Sequence, residues 1–282
     1  MQRKSDSIPA PLAPFGAPPN GLKDVGELPR FATGRAILAL VLREMSTTFG
    51  RSPGGYIWAI LEPALAIGLM VMIFSTGFRS PPIGTNFAIY FTTGFMPFTM
   101  FISTSSKVSQ AINFSNQLLS YPRVTFWDAI AARFILACLT QLMVSYLLIS
   151  FILIVWDTRT ILDLPVIAGS FAMAAALGLG VGLLNCVLTS RFVLWHTVWA
   201  VLTRPLVLIS GVIIPPSVIP QPYRGWLEWN PVLHVVGQNR KGFYHSYDGA
   251  YIDPVYTLTV AIICGAFGLL FLRRFFRDNL ER

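Results

Sequence analysis

Six long apolar runs, almost free of charge, occupy most of this sequence, and few folds can hold them. Ile57–Phe78, Phe87–Lys107, Ala129–Trp156, Pro165–Ser190, Val193–Ile214 and Val255–Leu272 each reach or approach the roughly 20 apolar residues with which a helix crosses about 30 Å of hydrocarbon. Composition agrees. Of 282 residues, 54% are apolar and 12% charged, where an ordinary soluble domain carries roughly 25% charged residues. That is too little charge to cover a soluble globule, to keep a chain disordered or to build a coiled coil. The sequence therefore predicts an all-α integral membrane protein with six transmembrane helices, and an even number puts both termini on one side.

Orientation follows from the basic residues. With cytoplasmic termini, the inside holds Arg3, Lys4, Lys23, Arg30, Arg35, Arg43, Arg51, Lys107, Arg123, Arg191 and the cluster Arg273, Arg274, Arg277, Arg282. The outside holds only Arg79, Arg159, Arg224, Arg240 and Lys241. A net charge of +8 would suggest nucleic acid in a polar chain. Here it marks the cytoplasmic face, and no nucleic-acid partner is expected.

Two segments flank the spans. Residues 1–32 carry Pro9, Pro11, Pro14, Pro18, Pro19 and Pro29 with Gly16, Gly21 and Gly26, and read as a disordered, cytoplasmic Pro/Gly-rich tail. No apolar core of signal-peptide length lies in it, so the tail is expected to be retained. Residues 33–282 form the second domain. It opens with a helix over 33–50, capped by Thr33, whose Leu38, Val41, Leu42, Met45 and Phe49 recur at spacings of three and four. Such a helix either lies in the headgroup plane or packs on protein. Between the fifth and sixth runs, segment 213–254 is rich in proline and aromatic residues. Two short helices, 217–228 and 231–243, are expected there, dipping back toward the membrane from outside.

The sequence lacks GxxxxGK[ST], HExxH, GxSxG, GxGxxG and DxD motifs, so no catalytic residue is assigned. His196, His234 and His245 are scattered, and no metal site is expected. Cys138, Cys186 and Cys264 lie singly in apolar runs and read as core residues. The informative residues are charges in apolar runs, which cost about 2.5–3.5 kcal/mol at mid-bilayer. Glu62 and Arg133 are expected near the cytoplasmic ends of their spans, pairing or snorkelling. Arg204 lies mid-run, either in a salt bridge or facing a pathway for an anionic substrate.

The run from Leu42-Arg43-Glu44-Met45 through Phe49-Gly50-Arg51-Ser52-Pro53-Gly54-Gly55-Tyr56-Ile57-Trp58 to Glu62-Pro63 resembles the N-terminal signature of type-2 ABC exporter permeases, in particular the capsular polysaccharide and O-antigen branch. Gly94-Phe95-Met96-Pro97-Phe98, then Asn116-Gln117-Leu118-Leu119-Ser120-Tyr121-Pro122-Arg123-Val124, then Ser210-Gly211, Trp229-Asn230-Pro231, His234 and Arg240 are similar to the family's later motifs in order and spacing. The resemblance covers about residues 36–275 and makes residues 33–282 an ABC exporter transmembrane domain.

It implies a homodimer in the bacterial inner membrane joined to two separate ATP-binding cassette subunits, which bind ATP and Mg, so that this chain holds no cofactor and is not itself an enzyme. The loop Asn113–Tyr121, ended by Pro122, would be the coupling helix. Asn116, Gln117, Leu118, Tyr121, Pro122 and Arg123 would meet the ATPase. Periplasmic and outer-membrane export proteins would be further partners, and a lipid-linked polysaccharide the substrate. Long sugar chains have apolar ring faces, so Tyr56, Trp58, Tyr90, Trp195 and Trp199 are candidates for the substrate path, with interface-belt aromatics as the other reading. Arg204 would meet an acidic sugar or a lipid phosphate. Other functions remain open: a permease of this architecture for a drug or glycolipid, or a membrane-embedded glycosyltransferase.

Overall fold

The structure, a computed structural model, describes residues 32–48, 54–112, 114 and 125–280, with backbone alone at 32, 48, 56 and 275–280. The chain divides into two units, Met1–Ala32 and Thr33–Arg282. The tail expected over 1–32 lies outside the described residues, apart from Ala32.

Among the described residues every regular element is helical, as the apolar runs predict: α1 (Ala32–Thr48), α2 (Gly55–Gly77), α3 (Phe87–Ser109), α4 (Phe126–Val155), α5 (Leu164–Arg191), α6 (Trp195–Ile209), α7 (Tyr223–Leu227), α8 (Pro231–Phe243) and α9 (Pro254–Leu280), with one turn of 3₁₀ helix at Pro216–Val218. Short polar residues start these helices by taking up their free N–H groups. The Asn86 side chain accepts from the Ala88 N–H, Asp163 from Val166 and Asn230 from Val232, the last with Pro231 in the first turn, where its missing N–H costs nothing. Thr125 and Asp128 form a reciprocal capping box on α4. The first helix begins at Ala32, so Thr33 sits inside its first turn and not at its cap.

Among the described residues five helices, α2, α3, α4, α5 and α9, are long and apolar enough to cross a membrane. The fifth expected run, Val193–Ile214, is different. Its helix, α6, has 15 residues, about 22 Å at ~1.5 Å per residue, which is short of a bilayer's hydrocarbon. Gly211 ends it, at φ +73° in the left-handed region that glycine adopts without penalty. Still, α6 leads from one end of the bundle to the other. The chain enters it from the α5 terminus, and past its far end Ile213 meets Tyr90 near the start of α3.

The helices α3 and α5 form the centre. On α5, Gly178 and Gly182 meet α3 at Thr104 and Val108, while Gly180 turns to α9, where a Cβ would lie 2.1 Å from the Ala261 carbonyl oxygen. These small residues let the helices pack backbone to backbone. We expect Gly180→Val to force α5 and α9 apart and lower the thermal unfolding midpoint of the purified protein, by the 1–3 kcal/mol or more of an overpacked core. Gly68→Val, on a face of α2 with nothing within 4 Å, should leave the midpoint unchanged.

On the periphery, α1 seats Val41 against Ala132 and Leu136 of α4, while Leu38 and Leu42 stay exposed. In α6 no residue is buried, and α2 buries almost none. The bundle has two ends. One holds α1 and the α4 N-terminus; the other holds α7, α8 and the loops around them.

Candidate functional site

A groove of about 750 Å³ opens between α2, α3 and α4. Its α3 wall is Phe95, Thr99, Ser103 and Lys107, successive members of one helical face four residues apart. Across it stand Trp58, Ala59, Glu62 and Pro63 of α2, with Thr140 and Gln141 of α4. Pro63 has no N–H to give the Ala59 carbonyl, so that oxygen is left without its helical partner in the groove wall. The Thr99 and Thr140 hydroxyls donate to carbonyls of their own helices, leaving oxygen lone pairs to accept. The groove thus combines aromatic faces, hydroxyl and amide groups and one charge of each sign.

At the far end of the bundle the sequence had placed Arg240 outside the membrane among the loop charges. The structure buries it completely, at 0% exposure. Its guanidinium donates to the carbonyls of Gly211 (2.6 Å) and Val212 (2.7 Å) and lies 4.5 Å from the centre of the Tyr90 ring. Tyr90 in turn donates to the Ile213 carbonyl at 2.8 Å. The Gly94-x-x-Pro97 motif accounts for the seat. Any side chain at Gly94 would begin 3.0 Å from an Arg240 nitrogen and 3.2 Å from Val212. Pro97 withdraws the N–H that would bond the Thr93 carbonyl, and Asn239 donates to that oxygen instead, at 2.6 Å. The motif is therefore a socket in α3 for Asn239 and Arg240 of α8.

At the α1 end, Arg133 does not meet Glu62. Its Nε lies 3.1 Å from Glu44 of α1, while its Nη1 donates to the Lys107 carbonyl at 3.1 Å and its guanidinium covers the Phe114 ring at 4.1 Å. Nε is not aligned for a hydrogen bond to the carboxylate, so the pair is held by charge attraction in a buried setting. Glu62 instead faces the groove.

The expected path residues are dispersed. Trp58, 57% exposed, lines the groove. Tyr90 is sealed in the core, so no path opens at its ring in this subunit. The Trp195 indole donates to Asn185 of α5 at 2.9 Å and anchors the start of α6. Trp199 is half-buried and Arg204 exposed, both on α6. The Tyr56 side chain lies outside the described residues, as do Asn116, Gln117, Leu118, Tyr121, Pro122 and Arg123. As groove residues, Phe95 (named only within a motif), Thr99, Ser103, Thr140 and Gln141 went unremarked in the sequence. The four-residue repeat on α3 was the signal that could have found the first three.

No cluster of potential metal ligands occurs among the described residues. An all-helical integral membrane protein whose spans enclose an open, chemically mixed groove is the class that this fold and site define. Residues 35–244 match the ABC-2 type transporter family, and the chain belongs to it. It is 31% identical over 238 residues to a polysialic acid transport protein, KpsM, of Escherichia coli, an overlap spanning 83% of this chain and 91% of that one. It is 26% identical over 250 residues to the capsule polysaccharide export inner-membrane protein CtrC of Neisseria meningitidis, covering 86% and 91%. With BexB of Haemophilus influenzae, also a capsule polysaccharide export inner-membrane protein, it shares 24% identity over 212 residues, covering 75% and 80%.

Proposed function

We propose that this chain is the membrane-spanning subunit of an ATP-driven exporter that moves a capsule-type polysaccharide across the bacterial inner membrane. The observation that carries this reading is the likeness, over most of both chains, to proteins named for polysialic acid transport or capsule polysaccharide export. The groove suits such cargo. Aromatic faces stack on the apolar sides of sugar rings, hydroxyl and amide groups exchange hydrogen bonds with them, and neither holds a polymer too tightly to slide.

On this reading two copies work with two ATP-binding subunits, which hold ATP and Mg, and this chain carries no cofactor. The α1 end faces the cytoplasm, where both termini lie. Asn116, Gln117, Leu118, Tyr121, Pro122 and Arg123, in the stretch between α3 and α4, receive the ATPase. Periplasmic and outer-membrane export proteins take over the polymer outside. The exposed apolar faces of α2 and α6 are where lipid or the second copy sits, and Trp199 and Arg204 on α6 are then path residues.

Deleting the gene and locating the polymer tests the proposal. Polymer trapped in the cytoplasm supports export; polymer never made points to a synthetic enzyme. Trp58→Ala removes one stacking surface, about 0.5–1.5 kcal/mol, so surface polymer should fall roughly two- to tenfold at unchanged protein level.

A further inference from the structure

At the α8 end, a second cavity of about 350 Å³ is walled by Trp229, Glu228, His234, Tyr251, Asp253 and Tyr256. The main chain around it is pinned. The Asp253 N–H donates to His234 Nδ1 at 3.0 Å, so Nε2 carries the proton and donates to the Glu228 carbonyl at 2.7 Å. His234 thus spaces apart the two residues that bear carboxylates. The Tyr256 hydroxyl donates to the Trp229 carbonyl at 2.7 Å and fixes that residue's backbone too.

The side chains so held remain available. Trp229 is 77% exposed. One Asp253 oxygen accepts from the Tyr256 N–H at 3.0 Å, leaving the other to the cavity. Glu228 uses one oxygen on Arg224, at 3.3 Å. Burial pushes the Tyr251 phenol above its usual range, so it adds no charge. With Arg224 offsetting Glu228, the site carries about one net negative charge.

We propose that this cavity is a saccharide subsite for an uncharged sugar ring, its apolar face on the Trp229 indole and its hydroxyls on the Glu228 and Asp253 carboxylates. The oxygen that each carboxylate keeps free accepts a hydroxyl proton in a charge-assisted bond. Its volume is near the lower end of the roughly 300–1,000 Å³ of small-molecule sites, which suits one ring of a longer chain. An acid sugar or a lipid phosphate is repelled by this net negative charge. An indole serving only as a membrane-interface anchor has no need of two acidic neighbours held in place by a histidine. The inference rests on the polysaccharide reading above and adds where, outside the groove, a ring pauses, and of what charge.

The test uses the full-length protein in lipid nanodiscs and saturation-transfer NMR with hexamers of glucose, of N-acetylglucosamine and of sialic acid. At least one neutral hexamer should bind, and more tightly than the sialic acid hexamer. Trp229→Ala and Asp253→Asn should each weaken it about tenfold. The second substitution keeps the oxygen that the Tyr256 N–H needs, so folding is preserved. Failure of both neutral hexamers, binding that survives both substitutions, or preference for the acidic hexamer would overturn the proposal. So would quenching of the Trp229 fluorescence, taken as the difference from Trp229→Phe, by brominated phospholipid. The exporter reading is judged separately. Polymer trapped by gene deletion leaves it standing even if the subsite fails, whereas polymer that still reaches the surface removes it whatever the hexamers do.

Discussion

Arg240→Met is expected to unfold the subunit at a markedly lower temperature, a loss of about 2–6 kcal/mol. The figure follows from two buried carbonyls, Gly211 and Val212, each left without a donor at about 1–3 kcal/mol. An opposing effect has to be weighed. No carboxylate pairs with this guanidinium among the described residues, and burying a cation costs several kcal/mol, which methionine would recover. Two short charge-assisted bonds and the Tyr90 ring face already meet that cost in the folded state, so the orphaned carbonyls should dominate. Arg240→Lys separates the two effects. Lysine keeps the charge but lacks the planar fork that reaches both oxygens, and should also destabilise. Lys241→Ala, at the exposed neighbouring position, should not. A methionine variant that melts with the wild type would show that Arg240 does not hold the far end of α6 to α8.

The second large effect belongs to the α1 end. Removing either partner of the Arg133–Glu44 pair leaves the other charge buried without its paired group, at about 3–5 kcal/mol. Glu44→Gln and Arg133→Met should each show this in denaturant unfolding. Combining Glu44→Gln with Arg133→Met removes both charges, and the double variant should be far more stable than the sum of the singles predicts, by up to roughly 3 kcal/mol of coupling. Strict additivity would mean that the two side chains do not sense each other. Because Arg133 also holds the Lys107 carbonyl and covers Phe114, the single variants should loosen the end of α3 just before the stretch proposed to receive the ATPase.

Most long helices were legible to within a few residues, but α9 runs past the expected Leu272 to Leu280, and the helix expected over 217–228 is a 3₁₀ turn at Pro216–Val218 followed by the short α7, Tyr223–Leu227. Ile57–Phe78 was expected where Gly55–Gly77 is found, and Phe87–Lys107 where Phe87–Ser109 is found. Spans show in sequence because the bilayer imposes both length and apolarity. The exception, α6, is instructive. Val193–Ile214 is predominantly apolar around its one charge, Arg204, yet the Ser210-Gly211 turn shortens the helix, and mean hydropathy cannot register a backbone turn. Of the groove, Trp58 was anticipated, while Glu62, expected to pair or to snorkel, lines the wall. Arg133 was expected to pair, and does, but with a residue of α1. Tyr90 was expected on a path and lies in the core.

By itself, then, the sequence determined that the chain is a bundle of membrane-crossing helices, roughly where they begin and end, and through its ordered motifs the family to which it belongs. These are properties of contiguous stretches, governed by local capping and by transfer into hydrocarbon. Only the tertiary structure decided which polar groups meet. Arg240 finds carbonyls that Gly211 and Val212 expose past the end of another helix, Asn239 finds the oxygen that Pro97 frees in α3, and Arg133 chooses Glu44 over Glu62. A charge in a low-dielectric interior is settled by whichever partner packing brings within about 3 Å, and that distance is a property of how the helices are assembled, not of any one of them.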